Sequence, residues 1–308
     1  MRLLPFLIVF LINLLISSAY GADRPTVFVS ILPQKYFVQR ICGDLTKVEV
    51  MVQPGANPHN YEPKASQMAK LAGADIYFAV GISFEDVWLA KLAAVNPKMK
   101  VVHTDANIEK LQMVAHHHHE EGEHGKEGGH GQEDSGRGHD DHDDHQAAPD
   151  PHVWLSPALA KVMVANMTEA LVAQYPENAS FFVSNSEEFL KEIDSLDARL
   201  RALLQDNRGR QFMVYHPAWG YFAREYGLIQ VPVEVEGKDP KPAQLKELIE
   251  HARERQIRVI FMQPQFSRKS AEIVAAEIGG EVAFADDLAE DWPANLLYVA
   301  EQIKKAGK

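Results

Sequence analysis

Eight short runs of aliphatic and aromatic residues, most of them followed by a helical pattern, constrain this 308-residue chain more than any other feature. Residues 27–31, 48–52, 76–80 and 100–103 read as strands, with helix-like stretches at 34–41, 64–72 and 84–95 between them. The rhythm returns after residue 210, with strands at 212–215, 229–233, 259–262 and 282–284 and helices at 217–226, 242–255, 268–278 and 293–305. Strands that are apolar throughout need cover on both faces, as in parallel α/β sheets. Between the two series the pattern is helical alone. Ser156 as cap and Pro157 in the first turn open one helix that runs to about residue 174. Pro176 breaks it and opens a second, reaching about residue 205, whose Phe182, Phe189, Ile193, Leu196, Leu200 and Leu203 recur at threes and fours. Nearly thirty residues at 1.5 Å each make a rod of roughly 45 Å, stiffer than a loop. The reading is two α/β lobes pinned to one helical spine.

One segment cannot belong to either lobe. Nine of the fourteen histidines lie between His116 and His145, in the run HHHHEEGEHGKEGGHGQEDSGRGHDDHDDH, which has no aliphatic or aromatic residue. A solvated, disordered loop over 116–148 is expected. Imidazoles and carboxylates together are the donor set for a borderline-soft divalent ion such as zinc, so the run points to metal without locating a specific site. It could hold several ions weakly and concentrate metal near such a site. It also carries ten acidic and two basic residues, and so supplies most of the chain's formal charge of −12. Outside it the charge is ordinary, and an acidic molecule has no electrostatic footing on nucleic acid.

The first residues, MRLLPFLIVFLINLLISSAYGA, combine a basic start, an apolar stretch to Ile16 and a small-x-small triplet ending at Gly21. That is the pattern of a cleaved export signal over 1–21, with no cysteine at the cleavage point for a lipid. A periplasmic location follows as an expectation. No later segment is long and apolar enough to span a bilayer. Cys42, the single cysteine, sits among Phe37, Val38 and Ile41 and reads as a small buried hydrophobe.

Five histidines remain outside the run: His59, His103, His152, His216 and His251. In parallel sheets ligands bind beyond the carboxyl ends of the strands. His59, in PGANPHNYEP after the second strand, and His216, in MVYHPAW after the fifth, meet that rule, and His152, in PDPHVWLSP at the entry to the spine, is placed to join them. Prolines stiffen all three segments. Asp286 and Asp287 follow the last strand. Three imidazoles and one of these aspartates would complete the tetrahedron that zinc prefers. His103 opens onto the histidine run and His251 lies in a charged helix, so neither is a candidate.

PGANPHNYEPKASQMAKLAGADIYFAVG, DPHVWLSPALAKVMVANM, YHPAWGYFAREYGL, VEGKDPKPAQLKEL and FADDLAEDW resemble successive blocks of the metal-receptor family of ABC importers, and most nearly its zinc-binding, ZnuA-type branch. The resemblance covers nearly the whole mature chain. It implies two lobes of four-stranded parallel sheet flanked by helices and joined by one long rigid helix. The lobes would span 22–175 and 207–308, with 176–206 as the linking helix. It also implies His59, His152, His216 and Asp286 as ligands of a transported Zn2+, histidine at the third position favouring zinc over manganese. A periplasmic monomer without enzymatic activity is expected, serving an inner-membrane ABC permease and possible partner to periplasmic zinc chaperones. Three other readings are weighed against it: a receptor for manganese or another divalent ion, a zinc buffer without a transporter, and a zinc hydrolase. The last would need an open coordination position and a general base. The sequence has no HExxH helix and no obvious base beside these histidines.

Overall fold

The computed structural model of the chain describes residues 24–113, 148–235, 237–266 and 268–306. The expected leader and the histidine run lie outside the described residues. The first four strands are β1 (Thr26–Val29), β2 (Lys47–Val50), β3 (Ile76–Ala79) and β4 (Lys100–His103). Among them lie helices α1 (Leu32–Cys42), α2 (Ala65–Leu71) and α3 (Ser83–Val95). The strands form one parallel sheet in the order β2-β1-β3-β4. After α4 (Pro157–Gln174) and α5 (Ala179–Leu204) come β5 (Gln211–Val214), β6 (Ile229–Pro232), β7 (Val259–Met262) and β8 (Glu281–Phe284). Helices α6 (Gly220–Tyr226), α7 (Pro242–Glu254), α8 (Lys269–Ile278) and α9 (Trp292–Ala306) complete the series. The second sheet is also parallel, in the order β6-β5-β7-β8. The fold class read from the sequence is the one observed: two four-stranded parallel sheets with flanking helices and a long helix between them.

The strands are buried because both faces of each sheet are covered. Val27, Phe28, Val29 and all of Ile76–Ala79 are inaccessible or nearly so, as are Phe37 and Ile41 of α1. In the other sheet Met213, Val231, Ile260 and Met262 pack with Leu248, Ala252 and Val274 from α7 and α8. Cys42 is free and buried, and burial pushes its thiol up to about 12, so it stays an inert hydrophobe.

The chain forms two compact units that do not follow chain order. The first holds residues up to Ala106, Lys161–Ile193 and Glu290–Trp292; the second holds Asn107–Ala160, Asp194–Ala289 and Pro293–Lys308. Helix α5 thus contributes its first half to one unit and its second half to the other. Its 26 residues make a rod of about 39 Å. The second unit claims residues 107–113 and 148–160, which the sequence reading ran on with the first lobe. The reason is local: Asp150 N–H donates to Leu111 O at 2.7 Å and Met113 N–H to Ala148 O at 2.9 Å. Tyr221 of α6 locks the pair, its hydroxyl donating to Asp150 O at 2.7 Å and accepting from Leu111 N–H at 2.9 Å.

Helix starts share one device. The side-chain oxygens of Gln34, Gln67 and Gln244 each accept a backbone N–H just before their own helix, satisfying amides that the helix cannot. Glu85, in the first turn of α3, does the same with Val80 N–H at 3.0 Å and Gly81 N–H at 2.7 Å. Its carboxylate also accepts from Ser30 Oγ, which lies 2.8 Å from Tyr77 Oη. One expected start differs. Residues 217–219 form a turn and α6 begins at Gly220, because Ala218 N–H bonds back to His216 O and Trp219 N–H is taken by Gln230 Oε1 at 2.7 Å.

Burial pushes the Glu85 carboxyl up to about 7, opposed by the bonds from Ser30, Val80 and Gly81, with Asp105 adding to the rise. The folded state therefore keeps a proton that the unfolded chain releases near 4.5, and stability falls as pH rises between those values. Relative to the parent, Glu85→Gln is expected to gain a few kcal/mol of stability between pH 4.5 and 8. Denaturation midpoints of both proteins across that range check it; a constant difference would contradict it.

Candidate metal centre

The carboxyl ends of the strands carry the polar residues that the sheets' apolar bodies cannot accommodate. In the second unit, His216 follows β5 by two residues, Glu234 follows β6, Gln263 follows β7, and Asp286 and Asp287 follow β8. His216 is fixed from three sides. Its N–H donates to Gln263 Oε1 at 3.2 Å, and Gln263 Nε2 donates to its carbonyl at 2.7 Å, clamping the backbone. Its Nδ1 lies 2.7 Å from Glu234 Oε1, and its ring stacks on Phe266 with centroids 5.0 Å apart.

His152 is held in a similar way, in the segment entering α4. Its Nδ1 lies 2.7 Å from Asp150 Oδ1, which also accepts its backbone N–H at 2.9 Å. Gly220 makes room for that carboxylate, since a Cβ there would lie 2.9 Å from Asp150 Oδ2. Trp154 packs at an angle against the His152 ring and donates its Nε1–H to Asp287 O at 2.7 Å. His152 and His216 are 1% and 5% exposed, with ring centroids 5.2 Å apart and a potential ligand nitrogen of each within 4.8 Å of the other.

A carboxylate accepts only from a protonated nitrogen. Asp150 and Glu234 therefore hold the protons on Nδ1, and each Nε2 keeps its lone pair. Imidazole backed by carboxylate is the usual arrangement for a metal-binding histidine, because it fixes the ring and raises its basicity.

In the first unit, His59 lies half-buried in the loop after β2. Asn57 Oδ1 accepts its N–H at 2.8 Å, and its Nδ1 lies 3.0 Å from the hydroxyl of Ser83, the first residue of α3. Gln67 ties down both flanks of that loop, accepting from Tyr61 Oη at 2.7 Å and donating to Met51 O at 2.6 Å.

The two aspartates differ sharply. Asp286 Oδ1 accepts from Gln265 Nε2 at 2.8 Å and from Leu288 N–H at 3.0 Å, so its carboxylate shapes the turn after β8. Asp287 is buried, and burial pushes its carboxyl up to about 7; the nearby His216 opposes that rise and Asp286 adds to it. His103 is exposed, and His251 Nε2 bonds Gln211 Oε1 at 2.7 Å, at the amino end of β5. Sequence reasoning singled out the histidines but not Asp150, Glu234 or Ser83. Asp150 had a signal, an acid two residues before a candidate ligand. Glu234 had only its place at the end of a strand.

Asp150→Asn and Glu234→Gln are each expected to weaken zinc binding by about 10–100-fold with little change in fold. Chelator competition and circular dichroism measure the two effects; parent affinity in both variants would show that the carboxylates play no part.

Known proteins show the same organisation. Residues 27–306 match the family model described as zinc-uptake complex component A, periplasmic. The high-affinity zinc uptake system protein ZnuA of Bacillus subtilis is 31% identical over 276 residues, covering 88% of this chain and 81% of that one. The zinc-binding lipoprotein AdcA of Streptococcus pneumoniae is 31% identical over 266 residues, covering 85% of this chain but half of that longer protein. A crystal structure of ZnuA shares 38% identity with a TM-score of 0.81, covering 93% of this chain and all of that one. A match across nearly the whole chain, with both sheets included, leaves one conclusion: the chain belongs to the ZnuA family of zinc-uptake components.

Proposed function

We propose that this chain captures Zn2+ through Nε2 of His59, His152 and His216 and one carboxylate of the Asp286–Asp287 pair, and delivers it to an inner-membrane ABC permease. The observation that carries the reading is the pair His152–His216, two buried imidazoles facing each other, each with Nδ1 on a carboxylate. Such a pair is costly to bury for structural reasons alone, and it leaves two lone pairs for a borderline-soft cation. His59, with Nδ1 on Ser83, offers a third nitrogen from the first unit. Asp286 occupies the position the family resemblance points to, whereas Asp287 is the buried member of the pair. Zinc is preferred over manganese because a donor set of three imidazoles favours the softer ion.

Among the described residues no helix is long and apolar enough to cross a membrane. In this reading the chain is exported by a leader over 1–21 and acts as a periplasmic monomer, and the family's role in transport supports a carrier rather than an enzyme. The run at 116–145 serves as a weak reservoir in this reading, separate from the tight site.

Titration of the metal-free chain with zinc, manganese and copper tests the proposal, alongside a variant lacking residues 116–145. The shortened chain is expected to keep one tight zinc and to lose the weak equivalents. His216→Ala is expected to lose the tight one, and Asp286→Asn and Asp287→Asn to differ in affinity by about tenfold or more. One tight zinc retained in His216→Ala would refute the ligand set.

A further inference from the structure

Among the described residues the first unit contributes one member of the histidine cluster, His59, and it sits in a loop without regular structure. What orients that ring is a hydroxyl, Ser83 Oγ, 3.0 Å from Nδ1. Ser83 is exposed and begins α3, so its place depends on the turn of residues 80–82 that links β3 to the helix. Gly81, at φ +80°, gives that turn a backbone form that few other residues adopt.

Glu85 is what holds the turn. Its carboxylate accepts Val80 N–H at 3.0 and 3.2 Å and Gly81 N–H at 2.7 Å. From the other side it takes the hydroxyl of Ser30, at the end of β1, which is in turn 2.8 Å from Tyr77 Oη on β3. Gln34 extends the connection, accepting Ser30 N–H at 3.0 Å and donating to Thr104 Oγ1 at 3.0 Å, while Thr104 Oγ1 donates to Ala79 O at 2.8 Å. Ser30, Gln34, Tyr77, Glu85 and Thr104 are all buried. A buried acid is expensive, and a capping role alone is met elsewhere in this chain by neutral glutamine, at Gln34, Gln67 and Gln244. Glu85 reaches further than those residues, past the amide before its helix to the two at the end of β3. It joins the ends of β1 and β3 to the first turn of α3 in one rigid piece.

We propose that Glu85 is a positioning residue for zinc binding: by fixing the turn at 80–82 it sets Ser83, and Ser83 sets the tautomer and direction of the His59 ring. This rests on the reading that His59 is a zinc ligand. With Nε2 turned to the ion, Nδ1 carries the proton and Ser83 Oγ is placed to accept it, the part that Asp150 and Glu234 play for the other two histidines. The first unit does with a hydroxyl on a braced turn what the second does with carboxylates in direct contact.

The test compares zinc affinity in the full chain, by chelator competition, for the parent, Glu85→Ala, Glu85→Gln, Ser83→Ala, the Ser83→Ala/Glu85→Ala double variant and His59→Ala. Melting of each zinc-free protein and nitrogen-15 NMR of the His59 ring are recorded alongside. Glu85→Ala and Ser83→Ala are expected to weaken binding about tenfold each, the double variant no more than either, and Glu85→Gln to restore it nearly to the parent value. The ring should hold one tautomer in the parent and in Glu85→Gln and a mixture in the two alanine variants, which lost stability alone would not produce. Glu85→Asp, one methylene short of the Val80 and Gly81 amides, should behave as the alanine variant does and replaces it if that protein does not fold. Parent affinity and a single tautomer in Glu85→Ala and Glu85→Asp, with binding weakened in His59→Ala, would overturn the positioning role. Parent affinity in His59→Ala would overturn the ligand assignment beneath it.

Discussion

An imidazole binds a cation only when one ring nitrogen keeps its lone pair and the ring cannot turn away, and both conditions are set by what the other nitrogen touches. In this chain His152 Nδ1 meets Asp150 and His216 Nδ1 meets Glu234, each at 2.7 Å and each buried. Four polar side chains withdrawn from water would cost several kcal/mol if their partners were missing. Much of the second unit can be understood as supplying those partners. Tyr221 braces the backbone of Asp150, Gly220 leaves space for its carboxylate, and Gln263 grips both sides of the His216 peptide.

The two sheets repeat one strand order, and in each the chain turns back beside its first strand, the point at which α/β proteins bind ligands. The repeat does not extend to the residues that follow the first strand of each sheet. After β5 the chain places His216, whereas after β1 it places Ser30, bonded to Glu85. The second sheet thus presents histidine and acids at its carboxyl end. The first spends its buried acid on the frame behind one histidine.

The fold could be read from the sequence because its rule is local. Continuous apolar runs such as 76–80 and 259–262 can only be strands covered on both faces, and the spine's threes-and-fours pattern needs no tertiary information. His59 and His216 are singled out by a positional rule, that ligands lie beyond the carboxyl ends of parallel strands, and His216 follows β5 by two residues. What could not be read depends on contacts distant in sequence. Glu234 is eighteen residues from His216 and meets it only because β6 pairs beside β5. The membership of residues 107–113 and 148–160 depends on Tyr221, more than seventy residues from Asp150. The late start of α6 depends on Gln230 reaching across to Trp219. Asp286 and Asp287 are neighbours of identical chemistry, separated only by burial and by the turn that one of them shapes.

X-ray absorption spectroscopy of the chain lacking residues 116–145, loaded with one equivalent of zinc, tests the central claim most directly. The account predicts four light-atom ligands near 2.0–2.1 Å, with the multiple-scattering signature of three imidazoles, falling to two in His59→Ala. A first shell with one imidazole or none, or a shell unchanged in His59→Ala, would contradict it.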